Sequence, residues 1–204
     1  MKKLIIGSID ESAGKTSVIV GLAKAMELDF GYMKPLGDRL LYRKKRLWDY
    51  DAALMTNVFG LKENPENISI GFDHSKLKYM YDAESIKDKL SEMVSNTSEG
   101  KDILLVEAGR NLTYGTSVNL DAISLAKHID GKLLFVLSGN EDNVMDDITF
   151  VQKYVNMSDV ELEGVIINKI QDVEDFQQNY LDSITEMDIN VISIISHKSE
   201  FTYI

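Results

Sequence analysis

A chain of 204 residues, 44% hydrophobic and 27% charged with two prolines, has the composition of one ordinary globular domain, not of a disordered, collagenous or repeat-built chain. At this length a single core buries about 70% of the unfolded surface and no covalent staple is required. The lack of cysteine excludes disulfides, thiolate zinc sites, iron–sulfur clusters and a cysteine nucleophile, and fits a reducing, cytoplasmic setting. Twenty-two basic residues against 33 acidic ones leave a net charge of −11, which repels nucleic acid and anionic membranes, so neither is an expected partner and any phosphate site must be local.

The chain opens on Met1-Lys2-Lys3 followed by Leu4–Ile6, an apolar run far too short for the core of a signal peptide, and no later run approaches membrane-spanning length. Leu4–Ile6 reads as the first buried strand. It leads into Gly7-Ser8-Ile9-Asp10-Glu11-Ser12-Ala13-Gly14-Lys15-Thr16-Ser17, and the helical pattern of Lys15–Leu28 follows at once. Strand, small-residue loop and helix start are the context of a phosphate-binding loop, in which backbone N–H groups close around a phosphate and the helix N-terminus adds partial positive charge. The nucleotide-binding candidates are therefore Asp10, Ser12, Ala13, Gly14, Lys15, Thr16 and Ser17, with Lys15 reaching the β- and γ-phosphates and the Thr16 hydroxyl on Mg²⁺. The strict pattern G-x-x-x-x-G-K-[ST] is not met, because Ile9 holds the first glycine position.

Further strands are predicted at Phe30–Met33, Ile103–Val106, Leu133–Leu137, Val165–Ile167 and Val191–Ile195; they do not alternate with polar residues, which marks them as buried. Helical spacing recurs at Tyr50–Gly60, Ala83–Ser95, Leu120–Ile129, Asp142–Val155 and Val173–Met187. The alternation predicts a single α/β domain over 1–204, a P-loop NTPase-type three-layer fold with a largely parallel central sheet. Between Gly37 and Asp49 lies the one basic patch, Arg39, Arg43, Lys44, Lys45 and Arg46, read either as a solvated loop or as a loop facing a substrate. Glu107 follows four buried residues at a strand end beside the phosphate loop, where a carboxylate suits Mg²⁺. Asp51 and Asp49 are each candidates for a helix N-cap. His74, His128 and His197 show no ligand spacing, and Trp48 reads as packing over the basic loop.

The loop, together with Gly31-Tyr32-Met33-Lys34-Pro35-Leu36-Gly37, resembles the dethiobiotin synthetase group of P-loop proteins, and more closely the ATP-binding domain at the N-terminus of some phosphotransacetylases. The likeness continues through Tyr50–Leu54, Leu104–Glu107 and Gly164–Asn168, and Asp10 stands where partition and nitrogenase-type relatives carry a signature lysine. The resemblance implies Mg²⁺ on Thr16, Asp51 and Glu107, and catalytic roles for Lys15 and for Lys34, whose ammonium faces the γ-phosphate and the acyl substrate. It implies that Asn168 reads the adenine edge, and that ATP is favoured over GTP because Gln171 replaces the aspartate of guanine-specific proteins. The expected function is Mg·ATP-dependent phosphoryl transfer that activates a small carboxylate or carbamate, in a homodimer. The alternative is a non-catalytic ATP-sensing module. Two departures bear on the choice: Ala108–Gly115 replaces the glycine-rich run that follows the strand-end glutamate, and Ser193–Lys198 lacks the glycine and proline common around the last strand.

Overall fold

The computed structural model describes residues 1–43 and 45–197, without the side chain of Arg43. Its main sheet has six strands: β1 (Lys2–Gly7), β2 (Phe30–Met33), β5 (Ile103–Glu107), β6 (Lys132–Ser138), β7 (Leu162–Ile170) and β8 (Val191–Ser196), in the order β2-β5-β1-β6-β7-β8. Every neighbouring pair is parallel. Helices α1 (Lys15–Ala25), α2 (Tyr50–Phe59), α3 (His74–Met80), α4 (Ser85–Ser98), α5 (Ala122–Ile129), α6 (Glu141–Ser158) and α7 (Val173–Glu186) supply the outer layers. Ile5, Ile6, Leu104, Leu105, Leu134, Phe135, Ile166 and Ile167 are sealed in the sheet interior, as continuous apolar strands covered on both faces require.

Register decides where the chemistry lies. Ile6 pairs with Glu107, Met33 with Val106, and Gly7 with Phe135, so the loop after β1, Lys34 and Glu107 emerge together at the C-terminal edge of the sheet. In open parallel sheets this is where ligand sites form. Beyond β2 the chain stays extended: Lys34 N donates to Ile68 O, Ile70 N to Pro35 O and Gly37 N to Gly71 O, which carries Lys34 forward without leaving its backbone unpaired.

Four expectations need correction. The segment from Gly37 to Asp49 is not a plain loop, since it contains an antiparallel hairpin, β3 (Leu40–Arg43) with β4 (Arg46–Asp49), in which Leu41 faces Trp48 and Tyr42 faces Leu47. Its two short apolar runs, Leu40–Tyr42 and Leu47-Trp48, flank four consecutive basic residues, and Leu40, Tyr42 and Leu47 remain exposed, so no buried run marks it in sequence. Helix α3 lies in a stretch where no helix was expected; Asp73 starts it by accepting from Ser75 N and Lys76 N, and of its residues only Leu77 is buried. Strand β8 was expected to be buried, yet Ile192 and Ile195 are exposed on it; the opposite edge strand, β2, is buried along its length, so the difference lies in what covers each edge. Strand β7 also runs further than expected, so Asn168 lies inside it and not past its end.

Candidate functional site

The turn from β1 into α1 is built by backbone geometry. Ser12 (φ 61°) and Gly14 (φ 98°) are both left-handed, a cost that persists in a folded chain only where the surroundings fix it. At Gly14 no side chain fits, because a Cβ would stand 2.4 Å from Asn168 Nδ2. That amide instead donates to Ala13 O at 2.8 Å, and Asn168 Oδ1 accepts from Lys169 N at 3.0 Å. Lys169, itself left-handed, reaches Ser12 O. Strand β7 thus braces the loop from behind. Asp10, Ser12 and Ser17 are exposed, and Ala13 is buried.

Lys15 is buried, with Nζ donating to Ser8 Oγ at 2.8 Å and to Arg110 O at 2.9 Å. Burial pulls its pKa below the ordinary lysine value, with Glu107 opposing. Thr16 Oγ1 donates to Glu107 Oε1 at 2.9 Å, and the other carboxylate oxygen of Glu107 accepts from the Tyr32 hydroxyl at 2.8 Å. Burial pushes the Glu107 carboxyl up to about 7 against the pull of Lys34.

Lys34 lies at the centre of four carboxylates. Its Nζ is 2.7 Å from Asp38, 2.5 Å from Asp51, 3.7 Å from Asp49 and 3.8 Å from Glu107, and its side chain is 2% exposed. Burial lowers its pKa, but Glu107, Asp49, Asp51 and Asp38 outweigh burial and hold the ammonium charged well above the ordinary lysine range. It is therefore not the solvated strand-end lysine that its position in sequence allows.

Asp49 and Asp51, interchangeable as caps in sequence, are distinct in space. Asp49 Oδ1 caps α2 through Asp51 N and Ala52 N, while Oδ2 accepts from Asp38 N and Arg39 N. Four bonds commit it to holding the hairpin on the helix. Asp51 caps nothing; its carboxylate, 5% exposed, points at Lys34 and also meets Arg39 at 3.6 Å. Asp38, Asp49 and Asp51 each bring a carboxylate oxygen within 4.8 Å of the others.

Of the expected residues, the structure gathers Lys34, Asp51, Glu107 and Thr16 into one contact network, with Lys15 at the loop above. Sequence reading missed Ser8, Tyr32, Asp38 and Arg110. Lys34 and Asp38 are four residues apart on a segment with no helical pattern, where that spacing signals no contact, and Tyr32 sits in an apolar strand where its hydroxyl gave no signal. The three histidines do not gather: His74 packs edge-on to Tyr114 at 5.0 Å, and no histidine joins a ligand cluster among the described residues. Trp48 lies on β4 across from Leu41, on the hairpin that carries the basic patch.

Residues 2–203 match the model of AAA_26, an AAA domain family. The chain belongs to that family. Among solved structures, this AAA_26 chain is similar to a ParA family ATPase from Chlorobium tepidum TLS (TM-score 0.57, 10% identity, 98% of this chain and 86% of that one). A Borrelia burgdorferi B31 protein assigned to plasmid partition and solved with AMPPNP has TM-score 0.58 and 10% identity over 98% of this chain and 89% of that one. A nucleotide-binding protein from Archaeoglobus fulgidus in complex with ADP has TM-score 0.54 and 10% identity over 98% and 83%. At such identity the likeness is one of fold. The AAA_26 chain has the P-loop ATPase-like α/β fold, with its six-stranded parallel sheet flanked by helices.

Proposed function

We propose that residues 1–204 form a single Mg·ATP-binding unit of the dethiobiotin-synthetase type that transfers the γ-phosphoryl group to a small carboxylate or carbamate. The observation that carries this reading is the second lysine: Lys34, charged and enclosed, lies level with Glu107 and next to the residues suited to a metal. A loop that only gripped phosphates would not need it. The donor types suit the cation: the Thr16 hydroxyl meets the Glu107 carboxylate, Asp51 reaches the same network through Lys34, and all three offer hard oxygen atoms. Bound there, Mg²⁺ would neutralise phosphate charge.

In this reading the loop N–H groups and Lys15 hold the β- and γ-phosphates, with Ser8 and Arg110 O fixing Lys15 in position. An acceptor oxygen attacks the γ-phosphorus and the bond to the β–γ bridging oxygen breaks, giving an acyl phosphate and ADP without net proton transfer. Lys34 stabilises charge on the transferring group. No helix among the described residues is long and apolar enough to cross a membrane. A homodimer in the cytoplasm, with nucleotide and a small acid as its partners and no nucleic acid, completes the proposal.

ADP formation tests it. An enzyme of this kind forms ADP only with its acceptor present, and steady ADP formation from ATP alone, unaffected by any acid, would refute the transfer step. A second reading, an ATP-sensing module, is favoured by the Ala108–Gly115 segment, where the Arg110 carbonyl, not a glycine-rich run, approaches Lys15. It would bind ATP with little or no turnover.

Two variants probe individual residues. Glu107→Gln keeps size and removes charge, so the Mg²⁺ concentration needed for half-maximal nucleotide binding should rise more than the affinity for metal-free nucleotide falls. An unchanged Mg²⁺ titration would move the cation toward Asp38 and Asp49. Asn168 retains one amide hydrogen and one lone pair beyond its observed bonds, enough to pair with adenine, whereas Gln171 offers no carboxylate to the N1 and N2 donors of guanine. An unpaired buried donor costs about 1–3 kcal/mol. ATP should therefore bind at least several-fold tighter than GTP by calorimetry, and Asn168→Ala should compress the ratio. Equal affinities in the wild type would show that Asn168 does not choose the base.

A further inference from the structure

A cation in the proposed site needs lone pairs on Thr16, Asp51 and Glu107, and the chain's own cations and donors hold all three residues. Asp51 Oδ2 lies 2.5 Å from Lys34 Nζ, and Oδ1 lies 3.6 Å from the Arg39 guanidinium. Glu107 Oε1 accepts the Thr16 hydroxyl hydrogen at 2.9 Å with Lys34 Nζ at 3.8 Å, and Oε2 accepts from Tyr32. Each of the four carboxylate oxygens thus has a cationic or donating neighbour.

Lys34 is the member of this set that stands directly in the way. An ion bonded to Asp51 Oδ2 at the usual Mg–O distance of about 2.1 Å would lie no more than about 4.6 Å from Nζ. The Lys34 side chain is 2% exposed and Asp51 5%, so little water screens the two positive charges from each other. The four carboxylates attract a dication, but a metal that coordinates while the ammonium stays forfeits part of its affinity to that repulsion. A phosphate beside Lys34 changes the balance. It offers the ammonium a second anionic partner, and a lysine on a flexible four-carbon stem can turn from one to the other, which frees Asp51 Oδ2.

We infer that Lys34 is a placeholder for the metal: it occupies the Asp51 and Glu107 carboxylates until a triphosphate draws it off, so that cation and nucleotide enter together and the free cation is refused. The inference rests on the nucleotide reading of the loop and adds to it a control on metal entry.

Mn²⁺ is the probe, because the free ion is counted directly by electron paramagnetic resonance. Without nucleotide the wild type should bind Mn²⁺ weakly, and Lys34→Met, which lacks the competing charge, about tenfold or more tighter. Asp51→Asn added to Lys34→Met should cancel the gain, which locates the ion. With AMP-PNP bound the gap between wild type and Lys34→Met should close, since the phosphate has then drawn the ammonium away. Lys34→Met also leaves buried carboxylates without their partner, so melts by circular dichroism are read alongside. Mn²⁺ should raise the melting temperature of the variant, or restore its folded spectrum, at concentrations that leave the wild type unmoved. Lys34→Gln, whose amide can still donate to a carboxylate, should show the same gain on a more stable background.

A wild type that binds Mn²⁺ without nucleotide as tightly as the variants do, or variants that neither bind it tighter nor melt higher with it, overturns the inference and leaves the nucleotide reading standing. A gain that survives Asp51→Asn, or a gap that persists with AMP-PNP bound, overturns it as well. Failure of AMP-PNP to bind the wild type refutes the nucleotide reading and, with it, the release of Lys34 by a phosphate.

Discussion

Lys34→Met should lower the stability of the fold by about 3–5 kcal/mol near pH 8, the cost of leaving buried charge without its partner. Asp49, Asp51 and Glu107 are all buried, Asp38 half-buried, and one ammonium serves them all. Burial raises the carboxyl pKa of both Glu107 and Asp49, and in each Lys34 is the strongest force holding it down. Removing the lysine therefore drives both pKa values further above their unfolded values. A group with a raised carboxyl pKa holds its proton longer in the folded state, so stability falls as pH climbs from the unfolded pKa through the folded one. For Glu107 in the wild type that window runs from 4.5 to about 7, and in the variant it extends higher. The Lys34 pKa is raised, so its stabilising share is complete below the ordinary lysine range and is lost only as pH rises above it. Urea unfolding at pH 5 and pH 8 should show the larger deficit at pH 8. A deficit below about 1 kcal/mol, or one equal at both pH values, would mean that the carboxylates relax into solvent and that the network does not depend on Lys34.

Mg·ATP at about 100 times its dissociation constant should stabilise the wild type by roughly 2.7 kcal/mol, which for a chain of this size is on the order of 5 to 10 °C in melting temperature. Lys15→Ala should abolish most of that shift, because in the proposed site the lysine held between Ser8 Oγ and Arg110 O supplies the loop's positive charge to the phosphates. Its pKa is lowered by burial, and a bound triphosphate would oppose that by favouring the charged form. The ligand-free melt separates the effects, since a folded variant with a normal apo transition and no nucleotide shift has lost the site alone. A variant that keeps the full shift would place the nucleotide elsewhere.

The elements that position the site were legible because each carries a local signature. Uninterrupted apolar strands such as Ile103–Val106 report burial on two faces, and Gly14-Lys15-Thr16 after a strand reports a loop whose backbone must be left-handed at Gly14. The hairpin was not legible, since its apolar runs are only three and two residues long around a block of four basic residues, and Leu40, Tyr42 and Leu47 stay exposed, so nothing in periodicity distinguishes them from a polar loop. Exposure of β8 depends on what packs over that edge of the sheet, which the residues of β8 do not encode; β2, at the other edge, is buried. At the site, Lys15, Lys34, Asp51 and Glu107 were visible one at a time. Their convergence was not, because Lys34 meets Asp51 across 17 positions and Thr16 meets Glu107 across 91, distances closed by the seating of α2 in the first case and by the register of β1 and β5 in the second. Asp49 and Asp51 show the same limit: two positions apart in sequence, one spends its oxygens on backbone N–H groups and the other faces the lysine.

The most direct measurement is a calorimetric titration of the wild-type protein with ATP, with and without Mg²⁺. One saturable site per chain, weakened when Mg²⁺ is withheld and displaced competitively by ADP, is the expected result, and the absence of saturable ATP binding with Mg²⁺ present would contradict the assignment of the loop and its lysines.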